Sequence, residues 1–311
     1  MTQISPQISV VIPVYRSEQS LELLVGRLHE VLSALGKTFE IVLVDDCSPD
    51  GSWEILKKLK ATHPSTLKIA RLLRNSGQHN AILCGFSLAG GQIIVTMDDD
   101  LQNPPEEVPK LVAAIDQGYD LAIGAYETKQ HAAVRNAGGR MIDALLRRMF
   151  SLPAGFQLTS FRAVRRAVVD RVCDMGGAFP YITAMLFSHA SKYVNVPVRH
   201  EPRRFGSSNY NLRRSLRLAA NLILNYSSWP LYLIASFCIA ALCFAVGYGI
   251  YVIIKALTQG TVSGWASMVV LISFFNGVVL LCMAILALYI SRINQQITRT
   301  RLRYTIGELH E

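Results

Sequence analysis

The chain has 311 residues, 51% of them hydrophobic and 17% charged, with six cysteines and a net charge of +9. That is enough for one or two domains with ample material for a core, and the cysteines, which form no CxxC pair and lie half in the apolar carboxyl-terminal stretches, read as reduced structural thiols. Residues 1–130 carry a net −5 and residues 131–311 a net +14; the basic half lacks interleaved aromatics or a recognition-helix pattern, which excludes a nucleic-acid binder and leaves anionic membrane lipid as the expected partner.

A first buried strand is predicted over Ile8 to Pro13, followed after VYRSEQS by a helix from Leu21 to Leu35. A second strand, Phe39 to Val44, ends in DDCSPDGS and puts Asp46 at its carboxyl end. Ser48 or Asp50 suits the cap of a helix from Ser52 to Lys60, so Asp46 reads equally well as loop chemistry. Leu67 to Leu73 is a third strand, RNSGQHN a polar turn and Ala81 to Ala89 a helix. Gln92 to Met97 is a fourth strand, Glu106 to Gln117 a helix opened by prolines, and Leu121 to Tyr126 a fifth strand. Strands alternating with helices predict an α/β fold with a mostly parallel sheet and helices on both faces. No GxGxxG follows the first strand, which argues against a dinucleotide-binding domain.

The chemistry concentrates at VTMDDDLQNPP, Val95 to Pro105, where a buried strand runs into three aspartates. Ligands of open α/β sheets bind outside the carboxyl ends of strands, and three adjacent acids repel one another without a cation. Strand alternation puts Asp98 and Asp100 on one side and Asp99 opposite, with Gln102 adding a neutral oxygen. Such oxygens suit Mg²⁺ or Mn²⁺, which keep positions open for substrate phosphates. The alternative is a solvated acidic turn capping the next helix.

Beyond residue 130 the pattern changes. Arg135 to Ser151 is amphipathic, suiting either a membrane-surface helix or an ordinary surface helix. Phe161 to Arg171 repeats the basic-apolar theme, Tyr193 to Val198 suggests a strand, and Leu212 to Tyr226 is a basic amphipathic helix running into Trp229-Pro230. Residues 231–254 and 266–290 carry no charge and are each long enough to cross about 30 Å of hydrocarbon. Arginines flank the pair on its outer sides only, which predicts a two-helix transmembrane hairpin with the amino-terminal domain and both termini in the cytoplasm. The expected organisation is a core over 1–130, an interface segment over 131–229, the hairpin over 230–292 and a basic tail over 293–311.

The motifs PVY (Pro13 to Tyr15), VDD (Val44 to Asp46), RNSGQH (Arg74 to His79) and DDDLQNPPEEVP (Asp98 to Pro109), with two carboxyl-terminal spans, resemble the family-2 inverting glycosyltransferases that load polyprenyl phosphate with a sugar. The likeness covers almost the whole chain, and the DxDLQxPPE string is its specific part. It implies a GT-A-type fold and transfer from a nucleotide sugar, UDP-linked before GDP-linked, to undecaprenyl phosphate at the inner membrane. It assigns Pro13, Tyr15, Glu18, Asp46, Gln78, Asp98 and Asp99 to the nucleotide sugar, and Asp98, Asp100 and Gln102 to the metal. It places Arg135, Arg140, Arg162 and Arg203 near the lipid phosphate, and it allows a homo-oligomer, a tetramer by analogy.

The departures are specific. Arg16 and Ser17 stand where the family's PxYNE has Asn and Glu, leaving Glu18 as the nearest carboxylate; Asn209 replaces the lysine of GxSKY. Ser160 stands where several relatives carry an Asp proposed as a catalytic base. A phosphate monoester has a second pKa of about 6 and reaches the site already deprotonated, so the reaction needs no base. Two rivals are a processive polysaccharide synthase, which would want a QxxRW segment and more spans, and an inactive scaffold or flippase subunit retaining the fold. A nucleotidyltransferase would want a glycine-rich amino-terminal phosphate loop, and none is visible.

Overall fold

The computed structural model describes residues 6–126, 147, 152–153, 155–175, 180–202, 264–298 and 304–311, with isolated positions between 236 and 258. The chain forms two compact units, residues 1–217 with 299–311, and residues 218–298.

The first unit is built on an eight-stranded sheet of order β7-β5-β6-β4-β1-β2-β3-β8. Its centre is parallel: β1 (Ile8–Val14) pairs with β2 (Phe39–Asp45) on one side and β4 (Ile93–Thr96) on the other, and β2 pairs with β3 (Leu67–Leu72). Every residue of β1 is buried, as a run without alternation requires when helices cover both faces of a sheet. Helix α1 (Leu21–Ala34) buries Leu21, Leu24, Val25, Leu28 and Leu32, one stripe of a 3.6-residue period. Gly36, with φ +65°, turns the chain out of it. Helices α2 (Ser52–Thr62), α3 (Gln78–Leu88) and α4 (Val108–Asp116) make the successive crossovers, α4 entered through a single 3₁₀ turn at Pro105–Glu107.

The sheet does not stop near residue 130. β6 (Arg162–Arg165) runs antiparallel between β4 and β5 (Leu121–Tyr126), and β7 (Tyr193–Val198) adds in parallel to β5. The FRAVRRAVVDR stretch thus splits into a strand and helix α5 (Arg166–Met175); helix α6 (Ile182–His189) follows. The boundary expected at residue 130 therefore does not divide the sheet. Part of the expected basic tail also joins the sheet: β8 (Ile306–His310) pairs antiparallel with β3.

In the second unit, α7 (Trp265–Thr298) is a continuous helix of 34 residues containing the stretch 266–290. Counted over the described residues, which leave out several side chains of α7, no helix is long and apolar enough to cross a membrane. Most of 231–254 lies outside the described residues, as do the expected amphipathic helix Leu212 to Tyr226 and nearly all of Arg135 to Ser151.

Candidate active site

β4 ends at Thr96, so the acids lie on a turn and strand alternation does not govern them. Leu101, buried completely, takes a left-handed φ of 60° within this turn. Arg16 and Cys47, just beyond β1 and β2, each have φ 57°. Left-handed backbone is costly for residues other than Gly, Asn and Asp, and these three cluster at the carboxyl edge of the sheet, where strained backbone commonly marks function.

The three acids face three different segments. Asp98 accepts from Gln78 Nε2 at 2.7 Å and from Ser160 Oγ. Asp99 accepts from Tyr15 N at 3.2 Å and from Ser17 Oγ. Asp100 accepts from Gln102 N at 3.1 Å and lines a cleft of about 270 Å³ with Arg16, Ser17, Glu18, Gln19, Ser20 and Asp50. Burial pushes the Asp98 and Asp99 carboxyls up, Asp99 to about 7, and the hydrogen bonds from Ser160 and Ser17 only partly offset this. A rim that destabilises its own negative charge is one that a cation would relieve. Among the described residues no three His, Cys, Asp or Glu side chains converge as a metal cage. Mg²⁺ and Mn²⁺ commonly bind through one or two carboxylates plus substrate phosphates and water, and the donor set of Asp98, Asp100 and Gln102 fits that chemistry.

Several residues expected to touch donor are also engaged structurally. Asp46, nearly fully buried, accepts from Ser76 N at 2.6 Å and Gly77 N at 2.8 Å and so holds the loop that presents Gln78. Gly77 has φ +89° immediately before α3, which starts at Gln78, three residues before the expected Ala81. Glu18 accepts from Gly51 N at 2.8 Å at the start of α2. Pro13 is buried within β1, in register with Val44, whereas Tyr15 is 41% exposed with the Arg16 guanidinium 5.4 Å from its ring centre.

Arg162 does not reach an open surface. It is 2% exposed, with Nε donating to Thr96 Oγ1 and NH1 to Thr183 Oγ1, both at 3.1 Å. Burial lowers its guanidinium to about 10, offset in part by Tyr181 and Asp98. Charged throughout the neutral range, it forms a fixed cation beneath the acid rim. The resemblance places this residue at the lipid phosphate; here its guanidinium is held against Thr96 and Thr183. His79 lies in the same layer, its ring 5.0 Å from that of Tyr181 and its Nδ1 buried without a partner. Arg135, Arg140 and Arg203 lie outside the described residues.

The sequence reading did not anticipate the Ser17–Asp99 bond, although its signal was present: Ser17 replaces a glutamate of PxYNE and so removes a like charge beside Asp99. It also missed the link from Glu201 N to Gln102 O at 2.9 Å, by which the chain entering residue 203 is tied to the acid turn. The ion pair of Arg199 with buried Glu107, at 2.8 Å, reinforces that link. No local motif marks either contact.

The model of the glycosyl transferase family 2 matches residues 9–173. Curated relatives include the undecaprenyl-phosphate 4-deoxy-4-formamido-L-arabinose transferase of Klebsiella pneumoniae, 35% identical over 96% of this chain and 92% of that protein. The enzyme of the same name from Enterobacter sp. is 36% identical over the same shares. Among solved structures, glucosyl-3-phosphoglycerate synthase from Mycobacterium tuberculosis, in complex with Mn²⁺, UDP-glucose and phosphoglyceric acid, aligns with a TM-score of 0.50 at 20% identity. The alignment covers 70% of this chain and 78% of that one, a likeness of fold.

Proposed function

The chain belongs to glycosyltransferase family 2, and from that premise we propose that this polyprenyl-phosphate sugar transferase moves a sugar from a UDP-linked donor to undecaprenyl phosphate, with inversion and with the help of Mg²⁺ or Mn²⁺. The observation that carries the reading is the acid rim itself. Three carboxylates at the carboxyl edge of the sheet are held apart by Ser160 and Gln78, by Ser17 and Tyr15, and by the turn to Gln102, and one of them opens on the cleft.

In this reading a phosphate oxygen of the lipid attacks the anomeric carbon, a new C–O bond forms, and the bond to the nucleoside diphosphate breaks with both electrons leaving on the diphosphate. The nucleophile arrives deprotonated, so no side chain has to take a proton. Asp98, Asp100 and Gln102 would hold the metal, which when bound neutralises charge on the diphosphate. Ser160 donates a hydrogen bond to Asp98 and orients it, which is support for the base-free version rather than for Ser160 as a base. Arg162 contributes a permanent positive charge behind the rim. The nucleotide reading rests on the family likeness for Pro13, Tyr15, Asp46 and Gln78.

Residues 256–291 contain no charge, and α7, at 34 residues, runs about 50 Å, more than the ~30 Å of a hydrocarbon core. Described positions of the second unit leave Phe237, Ile250, Ile272, Leu281 and Ile290 about half exposed or more, as a surface turned to lipid would. The arginines on the outer flanks support a cytoplasmic placement of the sheet domain, with Arg135, Arg140 and Arg203 as cations for the acceptor phosphate.

Purified full-length protein incubated with undecaprenyl phosphate and a panel of nucleotide sugars, including UDP-4-deoxy-4-formamido-L-arabinose and UDP-glucose, tests this. Lipid-linked sugar should form with Mg²⁺ or Mn²⁺ and vanish with chelator. Absence of any lipid-linked product across the panel overturns the reading in favour of the inactive scaffold.

A further inference from the structure

We propose that the carboxyl-terminal strand β8 is a positioning element for the donor site, holding the loop of residues 73–78 that in turn holds Asp46 and Asp98; this rests on the reading of the acid rim as a nucleotide-sugar site. Tyr304 anchors the strand. It is 6% exposed, and its hydroxyl lies 3.1 Å from Ser87 Oγ near the end of α3 and 3.5 Å from Leu83 O at the middle of that helix. Ser87 Oγ already donates to Cys84 O at 2.7 Å, so in these contacts Tyr304 is the donor, its one phenolic proton having Ser87 Oγ and Leu83 O in reach.

From that anchor the chain pairs along β3, matching Ile306 with Leu72 and His310 with Ile69. One further bond, from Leu73 N to Thr305 O at 2.9 Å, extends the ladder beyond the end of β3. Leu73 O accepts from the Cys47 thiol at 3.8 Å, so both backbone polar groups of Leu73 are engaged. Three to five residues later Ser76 N and Gly77 N bind Asp46, and Gln78 Nε2 binds Asp98.

Between these two sets of bonds the loop has little packing of its own. Leu73 is 64% exposed, and Arg74, Asn75, Gly77 and Gln78 are exposed as well. A segment with so little burial is ordered by what grips its ends. One end is gripped by the site acids and the other by β8. Residues 305–311 bury almost nothing, Tyr304 being the one buried residue after position 303, so removing the strand leaves the rest of the core in place.

The test compares the full chain with a chain ending at Arg303, and with Y304F in the full chain. Donor KM, acceptor KM, kcat and hydrogen exchange at the amides of residues 73–78 are measured for each. A loop competent a tenth of the time raises the apparent donor constant about tenfold. The shortened chain should show that rise with acceptor KM within about twofold of the full chain, lose protection at Ser76 and Gly77, and regain both on adding the peptide YTIGELHE, which can re-form the strand. Y304F should show a smaller rise in donor KM. An unchanged donor KM, or equal rises in donor and acceptor KM that the peptide does not restore, overturns the proposal. Should the shortened chain not fold, Y304F decides alone: an unchanged donor KM and unchanged exchange overturn it. Absence of transfer by the full chain would sink the functional reading instead, and the exchange data would still test the strand.

Discussion

Asp99 and His79 place opposite proton preferences within one site. Burial raises Asp99 from 3.8 to about 7, so the fold favours its protonated form; that contribution is complete below about 3.8 and is lost as pH rises through 7. Burial lowers His79 from 6.5 to about 4, with Arg162 adding to the shift, so the fold favours the neutral ring; that contribution is complete above about 6.5 and is lost as pH falls toward 4. In chelator, the unfolding midpoint of D99N should gain on wild type as pH rises from about 5 to 8. That of H79L should gain as pH falls from about 7 to 5. Parallel profiles for either variant and wild type would refute the corresponding assignment. The functional residues separate by what they touch. Asp100→Ala removes a carboxylate from the cleft and should cut kcat/KM by about a thousandfold. Ser160→Ala removes one of two hydrogen bonds to Asp98 and should cost less than about tenfold. Comparable losses in both would restore Ser160 to a direct role in the reaction. At this scale the acids were legible because acids at a strand end are visible as a string, whereas Gln78 was legible only through the resemblance of RNSGQH. Asp46's bonds to Ser76 and Gly77 were not legible, since they depend on how loops from β2 and β3 come together.

Among the elements, α3 shows how a close approach fixes the site. A Cβ on Gly85 would overlap Val11 Cγ1 on the underlying strand, so glycine lets the helix lie directly on β1. Gly85→Ala should lower stability by about 1–3 kcal/mol, measured by denaturant unfolding, because the β-branched Val11 is fully buried and has no space to yield. Of the strands in the amino-terminal half, β1 and β4 were the most legible because doubly covered parallel strands read as unbroken apolar runs, whereas β3 (LKIARL) reads through its alternation of buried and partly buried residues. β6 was not legible. It has four residues, two of them arginines, and its strand character comes from pairing with β4 and β5 rather than from its own pattern. β8 escaped notice for a similar reason: exposed on nearly every residue, it carries no hydrophobic signature and is defined by its partner.

For the whole molecule, the return of the chain to the sheet limits its topology. β7 and β8 belong to the same sheet, and residues 218–298 form the separate unit between them. If that unit crosses a bilayer it does so an even number of times. Single cysteines placed at Thr261 and at Thr305, in a background without native cysteines, should then label from opposite sides of sealed membrane vesicles, with Thr305 on the side of the sheet domain. Labelling of both from one side would rule out the hairpin. The two uncharged stretches were legible in composition alone, whereas the attachment of the last residues to β3 was not.

The neck between β5 and β6 has its own consequence. Gln157 bonds both polar groups of the Tyr126 backbone, at 3.1 and 3.3 Å, and Asn195 from β7 ties in the Gln157 backbone at 2.7 and 3.0 Å. The chain thus leaves β5 and returns toward β6 through one buttoned collar, which fastens the two ends to each other and to β7. Gln157→Ala should therefore unfasten the collar and lower stability by about 1–3 kcal/mol in denaturant unfolding, because it strips a partner from both polar backbone groups at the end of β5.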